Sequence, residues 1–588
     1  MQATTSPYPA PNPSPTLELL APAGDRACLV AALEAGADAV YLGLTALNAR
    51  RYARNFSELE LAEACELAHG LGRRVHLTLN IDLAQNELGR AAEILETASR
   101  LEVDAVLVRD PALLALRPHF PELEYHLSTQ ACAASAADVE AARDLGIRRV
   151  VLARELTLSE IAAASQVQGI ETEVFVHGAL CLAVSGRCLL SSWVGGRSGN
   201  RGQCTSPCRV PWTLDGRPGG TPLSPYDLSL AARVGELRAA GVRALKIEGR
   251  MKNPSWVRSA VRLLRKGIDG TASPEQIAAE ADRRPAGARR VTSAYLDGRR
   301  AEVVELPRSV EADAQDAPGE AHDSPCMTVR PAVVALLNEV ESSARPRRFV
   351  EPDRVRLAQD QADDFLDRIQ PSGGAIVEGL DSDRLSRLVK FHPSARIIAA
   401  LPSVFFEAER GSVEALVTTA RSLDVPVEVN TWGGWLLASA SGARMIAGPG
   451  LGILNALAAR ELARLGFEEA TVSIETDAAK LEALLDRTPL PCSVVVFGRP
   501  ALVLTRAELP SAVTGAELED RRAARMRARR SSELWELRPV RPFELRGMHL
   551  PSTASHTVAD LVASPDPIAE WETPAADAFG FNFDRTLT

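Results

Sequence analysis

The sequence predicts an α/β protein in which a (β/α)8 TIM-type barrel is followed by a degenerate second α/β domain. Three observations carry this. Between residues 17 and 247, eight short apolar or β-branched runs alternate with Ala/Leu/Glu-rich amphipathic stretches. Continuous apolar strands separated by helices form a parallel sheet covered by those helices, and eight repeats in about 235 residues suit a closed barrel better than an open doubly wound sheet. The rhythm then resumes, and a constant offset of 320 lays 121–190 on 441–510 without a gap.

Residues 1–16 are a Pro-rich lead-in, expected to be disordered, with neither the basic start nor the apolar stretch of a secretory signal. The barrel is expected over 17–305, with strands at 17–20, 39–42, 75–80, 105–108, 125–128, 150–153, 173–176 and 244–247. The stretches between them, such as DRACLVAALEAG and AADVEAARDLG, end in glycine, as helix C-caps do. The acidic, Pro- and Ala-rich segment 306–330 reads as a linker. The repeat domain spans 331–510, with runs at 333–337, 374–377, 396–400, 427–430, 445–447, 470–474 and 493–497. Residues 511–588 read as a basic, partly irregular segment holding the run RRAARMRARR, either a nucleic-acid contact or a solvated helix face.

The 588 residues are 46% hydrophobic and 24% charged, with a net charge of −10. That excludes a wholly disordered, collagen-like or disulfide-scaffold protein, and the acidity argues against a general DNA coat. No apolar run is long enough for a membrane span. Cytoplasm is therefore expected, where thiols stay reduced.

Barrel active sites lie at the C-terminal strand ends. There stand Gln130 after strand five, Glu155 after strand six, His177 after strand seven, and Lys246, Glu248 and Arg250 in alternation along strand eight. Such a row aimed into a barrel needs pairing or a ligand. Asn48, Arg50 and Asn55 follow strand two. The sharpest signal is Cys181, Cys188, Cys204 and Cys208, spaced C-x6-C-x15-C-x3-C within 28 residues. Clustered thiolates select soft ions. Only the second pair is as tight as a zinc knuckle, which favours an iron–sulfur cluster, with zinc and unmetallated thiols as alternatives. The glycine-rich insert carries Arg197 and Arg201, suited to a cluster's negative charge or to a carboxylate or phosphate. The offset copy has Phe497 for His177, Ala501 for Cys181 and Glu508 for Cys188, so it keeps a scaffold without the chemistry.

The segments LELLAPAG, ADAVYLGL, NARRYARNF, HLSTQ, VVLAREL, VFVHGALCLAVSGRCLLS, GRSGNRGQCTSPCR and LKIEGRMK, in order over about residues 16–300, resemble the peptidase U32 family. Its name comes from an assignment as collagenase-like proteases. Better understood relatives hydroxylate tRNA uridine or a 23S rRNA cytidine using prephenate, or take part in oxygen-independent ubiquinone hydroxylation. The resemblance implies a 4Fe-4S cluster on Cys181, Cys188, Cys204 and Cys208. It implies RNA base hydroxylation with a small carboxylate donor: His177, Glu248 and Lys246 as catalytic candidates, and Asn48, Arg50, Asn55, Gln130, Glu155, Arg197, Arg201 and Arg250 binding substrate. The alternatives are a collagenase-like peptidase and a non-catalytic metal-binding subunit that partners another U32 protein.

Overall fold

A computed structural model describes residues 17–283, 289–304, 329–340, 347–349, 351–546, 549–573 and 580–584. The lead-in 1–16 and nearly all of the 306–330 linker lie outside the described residues.

All eight expected strands form: β1 Glu18–Pro22, β2 Ala39–Leu42, β3 Arg74–Leu79, β4 Ala105–Val108, β5 Glu124–Leu127, β6 Arg149–Val151, β7 Glu171–Ala179 and β8 Ala244–Ile247. They pair in parallel and in order, and β8 closes the barrel between β7 and β1. The interior is crossed by charge. Arg149 meets Glu18 at 2.6 Å and Glu171 at 2.8 Å, while Lys246 meets Glu173 at 2.7 Å. Charges buried this deeply are tolerated only because each has an opposite partner.

The second half is also a closed parallel barrel of eight strands: β9 Arg354–Ala358, β10 Gly374–Glu378, β11 Ile397–Ala400, β12 Val427–Val429, β13 Met445–Ala447, β14 Phe467–Thr471, β15 Cys492–Gly498 and β16 Ala554–Asp560. Three expectations need correction. The run 333–337 is part of the helix Pro331–Asn338, with proline in its first turn, and not a strand. A boundary at 510 cuts the barrel, because β16 lies between β15 and β9 and closes it. The arginine run is not a helix face: after a turn at 521–524, Arg525–Ser531 is a strand, and its arginines pair with Glu517, Glu508 and Glu536.

The offset of 320 holds in detail. Helices Ala136–Asp144 and Leu158–Ser165 recur as Ala456–Arg464 and Ala478–Leu485, with N-caps Ser135 and Thr157 answered by Asn455 and Asp477. The pairing of β7 with β8 skips Val176, and that of β15 with β16 skips Val496. Gly178 and Gly498 follow each bulge at φ +110° and +142°, where a Cβ would strike the carbonyl of Glu248 or Asp560. The β6–β1 pair Arg149–Glu18 is answered by Glu469–Arg354, between β14 and β9, with the signs exchanged. Two copies of one barrel therefore face each other in a single chain.

After β7 and after β15 the chain leaves its barrel on a long excursion. The two excursions meet in a six-stranded sheet of Val503–Thr505, Leu534–Pro539, Arg525–Ser531, Glu517–Glu519, Thr213–Leu214 and Arg217–Pro218. Helix caps join the barrels elsewhere: the Asn455 amide donates to Asp110 and to the Leu83 carbonyl, and the Gly433 N–H donates to Asp138. Among the described residues no helix is long and apolar enough to cross a membrane.

Candidate active site at the mouth of the first barrel

Just beyond the β8 strand end, Glu248 accepts from Arg50 at 3.1 Å and Arg154 at 2.9 Å, both on Oε2. Burial works to raise the Glu248 carboxyl, but the Arg50, Arg154 and Arg250 charges outweigh it and hold the group below its ordinary range. It stays ionised. Arg250 is 4% exposed and donates to Thr78 Oγ1 at 3.1 Å and Asn48 Oδ1 at 3.0 Å. No carboxylate among the described residues lies at ion-pair distance from it, and burial pulls its guanidinium down to about 10. Arg154 stacks on Phe175 at 4.2 Å, and Tyr41 donates to the Ile247 carbonyl at 2.8 Å. Three cations thus surround one carboxylate in a buried pocket.

The cysteine loop forms the next wall. Burial raises the thiols of Cys181, Cys188 and Cys208, the last to about 12. Each also feels the charge of Cys204, so the four sulfurs share one neighbourhood. The Arg50 guanidinium is influenced by Glu248 first and then by Cys204 and Cys181, which places the cation pocket against the thiols. The Ser206 N–H donates to Cys204 Sγ at 3.3 Å. Among the described residues the set that brings three ligand atoms within 4.8 Å of one another is His76, His126 and Glu173, and it includes no cysteine. In that set Lys246 and Arg149 already neutralise Glu173, while His76 Nδ1 and both His126 ring nitrogens are buried without a hydrogen bond.

The remaining candidates separate. Lys246 is no part of the mouth: it lies lower in the barrel, 3% exposed, in its pair with Glu173. Asn55 serves its own loop, whereas Asn48 also ties that loop to Arg250. Asn48 holds Leu44, Arg50 and Arg250, and Asn55, at φ +57°, donates to three carbonyls of 50–53. Arg201 is neutralised by Glu87 at 2.7 Å, whereas Arg197 is exposed and reaches Tyr52. Gln130 is half-buried on the turn after β5, its carbonyl backing onto Gly186 of the cysteine loop. His177 lies over Trp256 with ring centroids 5.5 Å apart, and its Nδ1 is 3.4 Å from Ser229 Oγ. Burial pushes it down to about 4, so it is neutral near pH 7. Glu155 is buried with neither carboxylate oxygen hydrogen-bonded, and burial lifts it to about 7. The sequence places Arg154 beside Glu155 at the end of the sixth strand without singling it out as a substrate-binding residue.

The family model for Peptidase family U32 matches residues 24–305. A Methanocaldococcus jannaschii protein named an uncharacterized protease is 40% identical over 43% of this chain and 65% of its own length. The Escherichia coli 23S rRNA 5-hydroxycytidine synthase is 40% identical over 43% of this chain and 39% of its own. The tRNA hydroxylation protein P of Haemophilus influenzae is 33% identical over 44% of this chain and 68% of its own. The chain thus spans less than two thirds of the first two of these relatives, and the family match lies in the half that holds the four clustered cysteines.

Proposed function

On the premise that the chain belongs to peptidase family U32, we propose that it hydroxylates a base of tRNA or rRNA, taking the hydroxyl from a small carboxylate such as prephenate. The observation that carries this is Arg250, a buried guanidinium with no carboxylate at ion-pair distance among the described residues, which shares the charge of Glu248 with Arg50 and Arg154, Arg50 in turn lying toward the thiols. A buried cation is costly unless an anion joins it, and a planar carboxylate matches the guanidinium fork. Relatives named for rRNA and tRNA hydroxylation supply the reaction class.

Cys181, Cys188, Cys204 and Cys208 would hold a 4Fe-4S cluster. Four soft donors, an N–H aimed at one sulfur, and nearby arginines suit it. When bound, the cluster would polarise the donor or pass electrons. Arg50, Arg154 and Arg250 would grip the donor's carboxylates. Glu248, fixed as an anion, would orient Arg50 and Arg154 and accept a proton, and neutral His177 would accept one at the rim. Cytoplasmic location and pairing with another U32 protein fit the same reading.

The test is anaerobic purification with iron, sulfide and zinc measured per chain, together with nucleoside mass spectrometry of RNA from a deletion strain. The reading expects iron and sulfide in equal amounts, lost in Cys181→Ala, and a hydroxylated nucleoside restored by the parent gene but not by Arg250→Met. Unchanged nucleosides in the deletion strain would sink it. Peptide cleavage by the metal-free protein would point to the peptidase reading instead.

A further inference from the structure

The second barrel has lost the cysteines, yet it grips the loop that carries them. Asn200, 5% exposed and lying between Cys188 and Cys204, four residues before the latter, donates through Nδ2 to the Cys188 carbonyl at 3.0 Å and to Glu475 Oε2 at 2.7 Å. Glu475 follows β14 at the mouth of the second barrel and is 2% exposed. Burial raises its carboxyl, and the Ser192, Asn200 and Ser198 side chains, all from the cysteine loop, oppose that rise. Arg187, next to Cys188, donates to the Asn430 carbonyl at 2.8 Å and to the Gly450 carbonyl, both at that same mouth. The N–H groups of Val184 and Leu189 donate to Leu504 and Leu502 at 2.7 Å, making the chain between Cys181 and Cys188 an added edge of the 503–505 strand. Glu475 is also the offset partner of Glu155, whose carboxylate has no such partner. The same position is an unpaired acid in one barrel and a clamp in the other.

We propose that the second barrel is the clamp of the metal loop and that Glu475, acting through Asn200, is a positioning residue that fixes Cys188 relative to Cys204. The loop's own sequence cannot do this alone. Its glycines leave the backbone free, and a soft-ligand site keeps its group only while its ligands are held in place. The proposal rests on the reading that these thiols bind a cluster, and its test separates the two.

The full chain, purified without oxygen, is compared with Glu475→Ala, Glu475→Gln and Asn200→Ala. The rate of iron release to a coloured chelator and the visible spectrum are recorded. The alkylation rates of Cys188 and Cys204 are then measured by mass spectrometry on metal-free protein. Glu475→Ala and Asn200→Ala should release iron at least tenfold faster and alkylate at least threefold faster. Glu475→Gln should stay within about twofold of the parent, because its amide oxygen still accepts from Asn200. Equal rates in parent, Ala and Gln variants would overturn the clamp. If the parent carries no iron, the cluster reading fails, and the alkylation rates alone decide the clamp. If Glu475→Ala does not fold, Asn200→Ala carries the same comparison.

Discussion

Glu155 should make the protein less stable as the solution becomes more alkaline, and Glu155→Gln should remove that dependence. The carboxyl is buried, its oxygens are unpartnered, and burial outweighs the Arg154 and Arg506 charges to lift it from 4.5 to about 7. Each tenfold change in proton affinity is worth about 1.4 kcal/mol. Below pH 4.5 the acid is neutral in both folded and unfolded chains and costs nothing. As pH rises past 4.5 the unfolded chain gives up its proton first, so stability is lost through the folded value near 7. The penalty works out at about 1 kcal/mol at pH 5 and about 3 kcal/mol at pH 8. The glutamine brings an unpaired amide of its own, costing about 1–2 kcal/mol, but that cost does not change with pH. Urea unfolding of parent and variant from pH 5 to 8 should therefore show their stability difference moving by about 2 kcal/mol in the variant's favour. A difference that stays flat across that range would refute the reasoning.

Arg149→Met leaves Glu18 with Arg74 and Glu173 with Lys246 but removes the cation between them, so it should cost about 2–3 kcal/mol, less than a wholly unpaired buried charge; urea midpoints check it, and an unshifted midpoint would mean that the network is not load-sharing. Histidine labelled at Cε1 should show His177 neutral from pH 5.5 to 8, since burial holds it at about 4. Its stabilising contribution is present above 6.5 and lost as pH falls toward 4, so a titration midpoint near 6.5 would contradict the burial. Asn455→Ala should cost more than Ser135→Ala. Both remove an N-cap worth about 1 kcal/mol, but Asn455 also serves Asp110 and the Leu83 carbonyl across the barrel interface. Equal losses on thermal unfolding would show that interface to be slack.

The first barrel was legible because its strands are apolar on both faces and its helices carry their caps in sequence. The duplication was legible for the same reason: an offset of 320 keeps Glu155 on Glu475 and Gly178 on Gly498. What escaped was decided by pairing at a distance. Nothing local marks 554–560 (ASHTVAD) as a barrel strand, because its place between β15 and β9 is set by residues some 60 and 200 positions away. The strand at 525–531 is hidden by its arginines, which become tolerable only when Glu517, Glu508 and Glu536 stand opposite. At the mouth, the positions of Arg50 and Arg250 followed from strand ends. That Asn48, Asn55 and Arg201 are spent on internal partners depended on loop geometry that no spacing encodes.

The late position of β16 orders events on the ribosome. The first barrel has all its strands once residue 247 has emerged, but the strip that flanks Cys188 comes from residues 502–504, and the second barrel stays open until residue 560. For more than 300 residues of synthesis the nascent chain carries a finished barrel with four untethered thiols and a growing sheet with two open parallel edges. Such edges invite pairing with other chains, and loose thiols invite oxidation. A chain that stalls before residue 554 therefore leaves both open edges and the loop thiols uncovered at once.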